Sequence, residues 1–406
     1  MRRSLQLAAI TLALCAVVSA PAHAGLFGSS GPATINVQAG TPQSALATAW
    51  KVAGSRATVA PGSRVVVSGY RVVIINEASG RGSSRPGLGN QNQSTAAVNA
   101  YYTLHGLDND ALSAMAEQAL TQLESELRAR GYQVLDRNQL RSAGDVSRLT
   151  DPGIGNVQLL TVQNGDSAGY MYTPRDMLIK LPMGGKGKDP NGKDIAGAIA
   201  TGGQVTQVAA MTGKLGRFGG SLGRLGGLAG QASGLAKLAS GITSTMDAAG
   251  DSQAQTALAK ALNATLLDVT FTLTFAEIEG SGGGFLNKIA GSDTAKVSAT
   301  FAPVFVPTDT RIEVRRPDSG NAILLNNPVE AQGPAIAGVR NVTTGGDIAA
   351  NVTGAVVSGL IALGTGGGMH TSMTVRRAVD TAPQYPQVVG DAISVMNKSV
   401  VDQIAR

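Results

Sequence analysis

Leu112, Met115, Ala116, Ala119, Leu120, Leu123 and Leu127 recur at intervals of three and four residues, which places them on one face of an α-helix. Asp108 or Asn109 supplies the cap at its start, and Gly131 ends it. A second stripe of the same period, Ala392, Ile393, Met396, Val400 and Ile404, predicts a final helix from about Val388. Elsewhere the period drops to two. In TLLDVTFTLTFAEIE, Val269, Phe271, Leu273 and Phe275 alternate with threonine and line one face of a sheet. The run RVVVSGYRVVIIN from Arg64 is dense in β-branched residues and predicts one or two strands.

Shorter patterns fill in the order. VNAYYTL (98–104), YQVL (132–135), VQLLTV and MLIKL predict strands, the last two with turns at Pro152-Gly153 and Asn164-Gly165. QAQTALAKAL (253–262) predicts a helix feeding the threonine-alternating strand. KVSATFAPVFV, RIEV and AILL predict further strands, with Pro317-Asp318-Ser319-Gly320 as the turn between the last two. Residues 25–62, rich in Gly, Ala, Pro and Thr, read as an arm or linker, and 80–94 as a polar loop. The stretch 348–364 is uncharged, and Gly354 and Ser358 repeat a small-xxx-small spacing within it.

The first 24 residues, with Arg2 and Arg3 before an apolar run and Ala22-His23-Ala24 at its end, predict a secretory signal peptide rather than a membrane anchor, because the run is shorter than the roughly 20 residues of a bilayer span. The one cysteine, Cys15, falls inside this leader and follows Leu14, so neither a disulfide nor a lipid anchor is expected. Together with the abundance of Ala and Gly, export suggests a Gram-negative periplasm or outer-membrane association. Asn-X-Thr patterns at Asn263, Asn341 and Asn351 leave eukaryotic secretion open.

The formal charge is +6, and aromatic residues make up 4% of the chain, too few for the base-stacking surfaces of nucleic-acid binders. Catalytic and metal-binding patterns are also missing from the sequence. His105 and His370 stand in no nucleophile or metal motif, and Glu277 and Glu279 share a strand face in the manner of a solvated strand end more than of an acid/base pair. The loop from Gly187 to Asp194 matches GxxxxGK, yet Asp194 stands where Ser or Thr would hold Mg²⁺ and Pro190 removes a backbone donor. The expectation is a non-enzymatic chain with no catalytic residues, no metal and no cofactor. A monomeric exported glycan-binding or glycan-processing protein, with a pocket around Tyr101, Tyr102, Tyr170 and Tyr172, is the alternative, and a soluble secretion accessory is a third reading.

GKLGRFGGSLGRLGGLAG (213–230) is the most unusual segment. Projected on a helix from Lys214, Leu215, Phe218, Leu222 and Leu225 fall between about 20° and 100°, the glycines, among them Gly219, Gly223 and Gly227, between about 120° and 240°, and Lys214, Arg217 and Arg224 between about 280° and 360°. Nine glycines from Gly213 to Gly234 would cost an isolated helix roughly 7 to 9 kcal/mol relative to alanine. Order therefore needs a closely apposed neighbour: another backbone against the glycine face, and an anionic lipid surface or a subunit groove against the apolar and basic faces. The competing reading is a flexible linker. Lys214, Leu215, Arg217, Phe218, Gly219, Leu222, Gly223, Arg224, Leu225 and Gly227 are the candidate membrane or oligomer contacts.

The capped helix followed by Y132-Q-V-L-D136-R137 and Leu140, together with ALNATLLDVTFTLTFAEIEGSGGG, a return strand from Lys296, and PDSG before another strand, resembles the curli-secretion channel (CsgG-like) family. The resemblance spans about 100 of the 406 residues and departs from the family in lacking a lipidated cysteine and in carrying a large insertion between about 145 and 250. It implies a mixed sheet flanked by helices and ring-forming subunits whose inserted segments build a pore. The expected organisation is a signal peptide (1–24), an arm (25–62), two halves of an α/β core (63–144 and 251–335) separated by the glycine-rich amphipathic insertion (145–250), and a glycine-rich apolar segment with a C-terminal helix (336–406). The expected function is an exported structural subunit of a homo-oligomeric, outer-membrane-associated assembly, with possible anionic lipid contact and no nucleic acid.

Overall fold

The computed structural model describes residues 33–53, 58–83, 95–150, 159–164, 167–178, 186–188, 245–280, 297–307, 309–343 and 370–406. They form a mixed α/β fold, two mixed sheets flanked by helices, the larger sheet curled into a half-barrel. In chain order the elements are β1 (Ile35–Val37), β2 (Trp50–Ala53), β3 (Arg64–Ile75), β4 (Glu77–Ser83), β5 (Thr95–His105), α1 (Asn109–Ala129), β6 (Gln133–Val134), α2 (Asn138–Ser142), β7 (Leu159–Asn164), β8 (Ser167–Tyr172) and β9 (Lys186–Lys188). After these come α3 (Thr245–Leu262), β10 (Thr265–Gly280), β11 (Val297–Phe305), β12 (Arg311–Arg315), β13 (Gly320–Leu325), β14 (Val329–Ala331), β15 (Ile336–Asn341), β16 (His370–Thr381) and α4 (Tyr385–Ala405).

The β-branched run at Arg64 becomes β3, whose residues after Arg64 are buried on both faces because the strand is central. It lies parallel to β10, with Val65 opposite Thr265 and Ile74 opposite Leu273. β10 in turn changes partner along its length. Leu266 to Thr270 pair antiparallel with β12, and Leu273 to Gly280 pair antiparallel with β11. One face of this sheet carries Tyr70, Val72, Val269, Phe271 and Leu273 into a core with α1 and α4; the other presents Val66 and Leu266 to Leu140 of α2 and Leu258 and Leu262 of α3.

Both predicted amphipathic helices form. Asp108 caps α1 by accepting from Ala111 N, and Gly131 takes φ +90° just past the helix end. α4 starts slightly before its predicted position, with Pro386 in its first turn. The two helices run parallel and side by side: Gln122 meets Ser394, Arg130 meets Asp402, and Glu126 lies 4.0 Å from Lys398. The strands leading into them, β5 and β16, are also parallel neighbours, paired from Thr95–His370 to His105–Asp380. Each strand, short turn and helix is thus laid beside its counterpart, with the helix contacts three residues out of the strand register.

Four local expectations are corrected. Part of the predicted arm is built into the fold: β1 pairs with β14 and β2 with β13, while Val37, Leu46, Ala49 and Trp50 are buried and Trp50 Nε1 donates to Ser399 Oγ at 2.8 Å. The segment has few large apolar groups, but these point inward. Residues 80–83, expected in a loop, complete β4. The strand expected at MLIKL is absent at Met177 and Leu178, because Asp176 at φ 63° turns the chain, and β8 forms upstream instead. Finally, β15 and β16 were not anticipated in 336–406, expected to hold an apolar segment and a helix.

Candidate functional site: the far end of the stacked sheets

Past Asn76 the chain leaves the larger sheet, and β4 begins a second sheet in the order β15-β16-β5-β4. This sheet lies over the outer halves of β10 and β11. Small residues permit the approach: a Cβ on Gly80 would collide with Cγ2 of Ile278 and reach Cγ1 of Val297 at 3.4 Å. Beside this contact the rings of Tyr102 and Phe301 meet at 5.3 Å. The pairs β4/β5, β10/β11 and β15/β16 all run toward this end, where the chain leaves them through 84–94, 281–296 and 344–369.

Among the described residues the exposed large apolar side chains are Tyr101 (42%), Val339 (37%), Val342 (42%) and Met373 (51%), all on or directly after strands of this smaller sheet. Tyr101, Arg376 and Val342 form one cross-strand row: Tyr101 pairs with Arg376, Val342 N donates to Arg376 O at 2.9 Å, and the Arg376 guanidinium sits 5.0 Å above the Tyr101 ring. From this row outward, β4, β5, β15 and β16 contain no acidic residue. Behind it, Asp380 is held by Arg340 through hydrogen bonds of 2.5 and 2.8 Å, which lower the Asp380 pKa and raise that of Arg340. An aromatic and basic face results, with apolar groups left in solvent.

A second polar grouping lies in the sheet interior, on the face of α2 and α3. Arg71 donates to Asp268 through both terminal nitrogens, at 2.5 and 2.8 Å, and to Thr270 Oγ1 at 3.1 Å. Burial acts to lower the Arg71 pKa, but the charge of Asp268, its hydrogen bonds and the charge of Glu313 outweigh it and raise the value. Gly69 leaves room for the carboxylate, since a Cβ there would lie 2.5 Å from Asp268 Oδ2. Further along this edge, burial pushes Asp309 up to about 7 against the opposing charge of Arg311.

The ten predicted contact residues from Lys214 to Gly227, and the stretch 348–364, lie outside the described residues. The four tyrosines do not gather around one pocket. Tyr101 is exposed on the outer face and Tyr102 buried on the inner, while the rings of Tyr170 and Tyr172 on β8 lie tilted to each other with centroids 6.5 Å apart, with Tyr172 Oη donating to Asn109 Oδ1 at 2.7 Å. His105 and His370 belong to opposite ends of the β5/β16 ladder, about 30 Å apart at strand rise. Glu277, opposite Thr300 on β10, is half-buried and engaged with its surroundings, and the side chain of Glu279 lies outside the described residues. Of the GxxxxGK loop, Gly187 and Lys188 belong to β9 and the rest lies outside.

Sequence reasoning missed the Tyr101–Arg376–Val342 row. The strand that carries its Arg376 was signalled by the alternation of Met373, Val375 and Val379 on the opposite face, interrupted by Arg377. Among the described residues no three His, Cys, Asp or Glu side chains group to hold a metal, and no helix is long and apolar enough to cross a membrane. Comparison with protein-family profiles, with curated proteins and with solved structures finds no significant match.

Proposed function

We propose that the chain is an exported, non-enzymatic structural subunit of an outer-membrane-associated homo-oligomeric assembly, a ring or pore serving secretion or the cell envelope. The observation that carries this reading is the concentration of exposed apolar side chains on the smaller sheet, at the end from which three chain connections depart. Apolar groups left in solvent on one sheet are covered at a gain of about 25 cal/mol per Å² when a partner or lipid meets them. The glycine, leucine and basic faces of 213–230 suit the same kind of contact, and the resemblance to the curli-secretion channel family points the same way.

Light scattering and negative-stain microscopy of the mature protein test the reading. A particle of several subunits is expected in buffer or in detergent, and a monomer at micromolar concentration in both overturns it. Replacing Gly223 and Gly227 by leucine is expected to abolish the particle while circular dichroism still reports a folded core. An unchanged particle would assign the segment to a linker.

A further inference from the structure

β10 serves two antiparallel partners in succession, so the chain passes from β11 to β12 along the same edge. This corner is where the outer strand pair joins the helix-backed body. It is fastened mostly by threonine. Val306 N donates to Thr272 O at 2.8 Å, Thr272 N donates to Thr310 Oγ1 at 3.2 Å, Thr310 Oγ1 donates to Thr272 O at 3.2 Å, and Thr272 Oγ1 donates to Asp309 O at 3.3 Å. Leu325 N donates to Thr310 O at 2.9 Å and ties in β13.

Asp309 sits inside this joint at 1% exposure, and neither of its carboxylate oxygens has a hydrogen-bond partner. An ionised carboxylate so placed gives up hydration without compensation. Arg311 is the charged group that acts on it, and its Nε lies 3.2 Å from Glu313 Oε1. The other charged groups on this face of β10 and β3 are Asp268 and Arg71, which bind each other; Thr272, the β10 residue hydrogen-bonded to the corner, is uncharged. Charge compensation for Asp309 is therefore incomplete.

We propose that Asp309 makes the corner a proton-controlled joint, tight while the carboxyl is neutral and loosened once it ionises, so that the β10/β11 pair gains freedom relative to the helix-backed body. The proposal is independent of the assembly reading. Burial raises the Asp309 value to about 7 in the closed corner, whereas an exposed aspartate titrates near about 4. The closed corner therefore keeps a proton that the open one releases. Its stability is full below about pH 4, falls as pH rises toward 7, and is level beyond.

Hydrogen exchange of the full mature chain, corrected for the intrinsic pH dependence of exchange, reads this directly. For the amides of Val306, Thr310 and Leu325 the opening constant is expected to rise roughly fiftyfold from pH 5 to pH 7 and to level off above about pH 8, while amides in α1 and α4 stay constant. Asp309→Asn is expected to remove the pH dependence. Wild-type corner amides with a flat profile, a profile shared equally by α1 and α4, or an unchanged slope in Asp309→Asn would each overturn the proposal.

Discussion

The two ends of the molecule bury their strands in different ways. At the body, helices close both faces of the larger sheet and a polar side chain links three elements: Asn397 Nδ2 donates to Ala119 O at 2.7 Å while its Oδ1 accepts from Tyr70 Oη at 3.1 Å, joining α4, α1 and β3. At the far end, sheet lies on sheet, and Tyr101, Val339, Val342 and Met373 are left in solvent. The body covers its own apolar surface. The far end leaves apolar side chains in solvent, which is why the proposed contacts belong there.

The largest break in this contrast comes from Asp268→Ala. It leaves the Arg71 guanidinium, 5% exposed, without its carboxylate, and a buried charge stripped of its partner costs about 3–5 kcal/mol. Urea denaturation is expected to show that loss, while Arg71→Met combined with Asp268→Leu recovers most of it by replacing the pair with apolar volume. A loss below about 1 kcal/mol for Asp268→Ala would mean that the body does not depend on the pair.

A smaller effect is expected at the far end from Gly80→Val. The added side chain must displace Ile278, and such overpacking costs about 1–3 kcal/mol. Its signature is local: protection of amides in β4 and β11 falls, while α1 and α4, whose contacts lie in the body, keep theirs. Adding Ile278→Ala to the same chain makes room and is expected to restore part of the protection. Equal loss in helices and strands would merge the two ends into one cooperative unit.

How well each end could be read in the sequence follows from the same difference. α1, α4 and β10 are long and periodic, and β3 is a long β-branched run buried on both faces, so their patterns carried the mixed α/β fold. β4 was hidden because its inward positions are Ala78 and Gly80, chosen for close approach to Ile278 and carrying no hydrophobic signal. β16 was hidden by the paired arginines at 376 and 377, one of which covers a tyrosine ring. The Arg71–Asp268 pair was out of reach altogether. Its partners stand 197 residues apart and meet only through the parallel register of β3 and β10.

The smallest effect on stability, and the sharpest on assembly, is expected from Tyr101→Ser combined with Val342→Ser, two exposed members of the cross-strand row. Both side chains are about half exposed, so their removal costs the fold little, within about 0.5 kcal/mol apiece for surface positions outside a core. Tyr101 also gives up its contact with Arg376, an exposed cation–π pair contributing about 0.5–1 kcal/mol. If this face meets a partner or lipid, the same two truncations weaken association well beyond their effect on unfolding, and the variant particle dissociates at protein concentrations where the wild-type particle persists. Light scattering across a dilution series, set against urea midpoints for the same variant, separates the two quantities. Equal association for wild type and variant would leave the exposed row as ordinary surface, and the contrast between the ends would then describe packing alone.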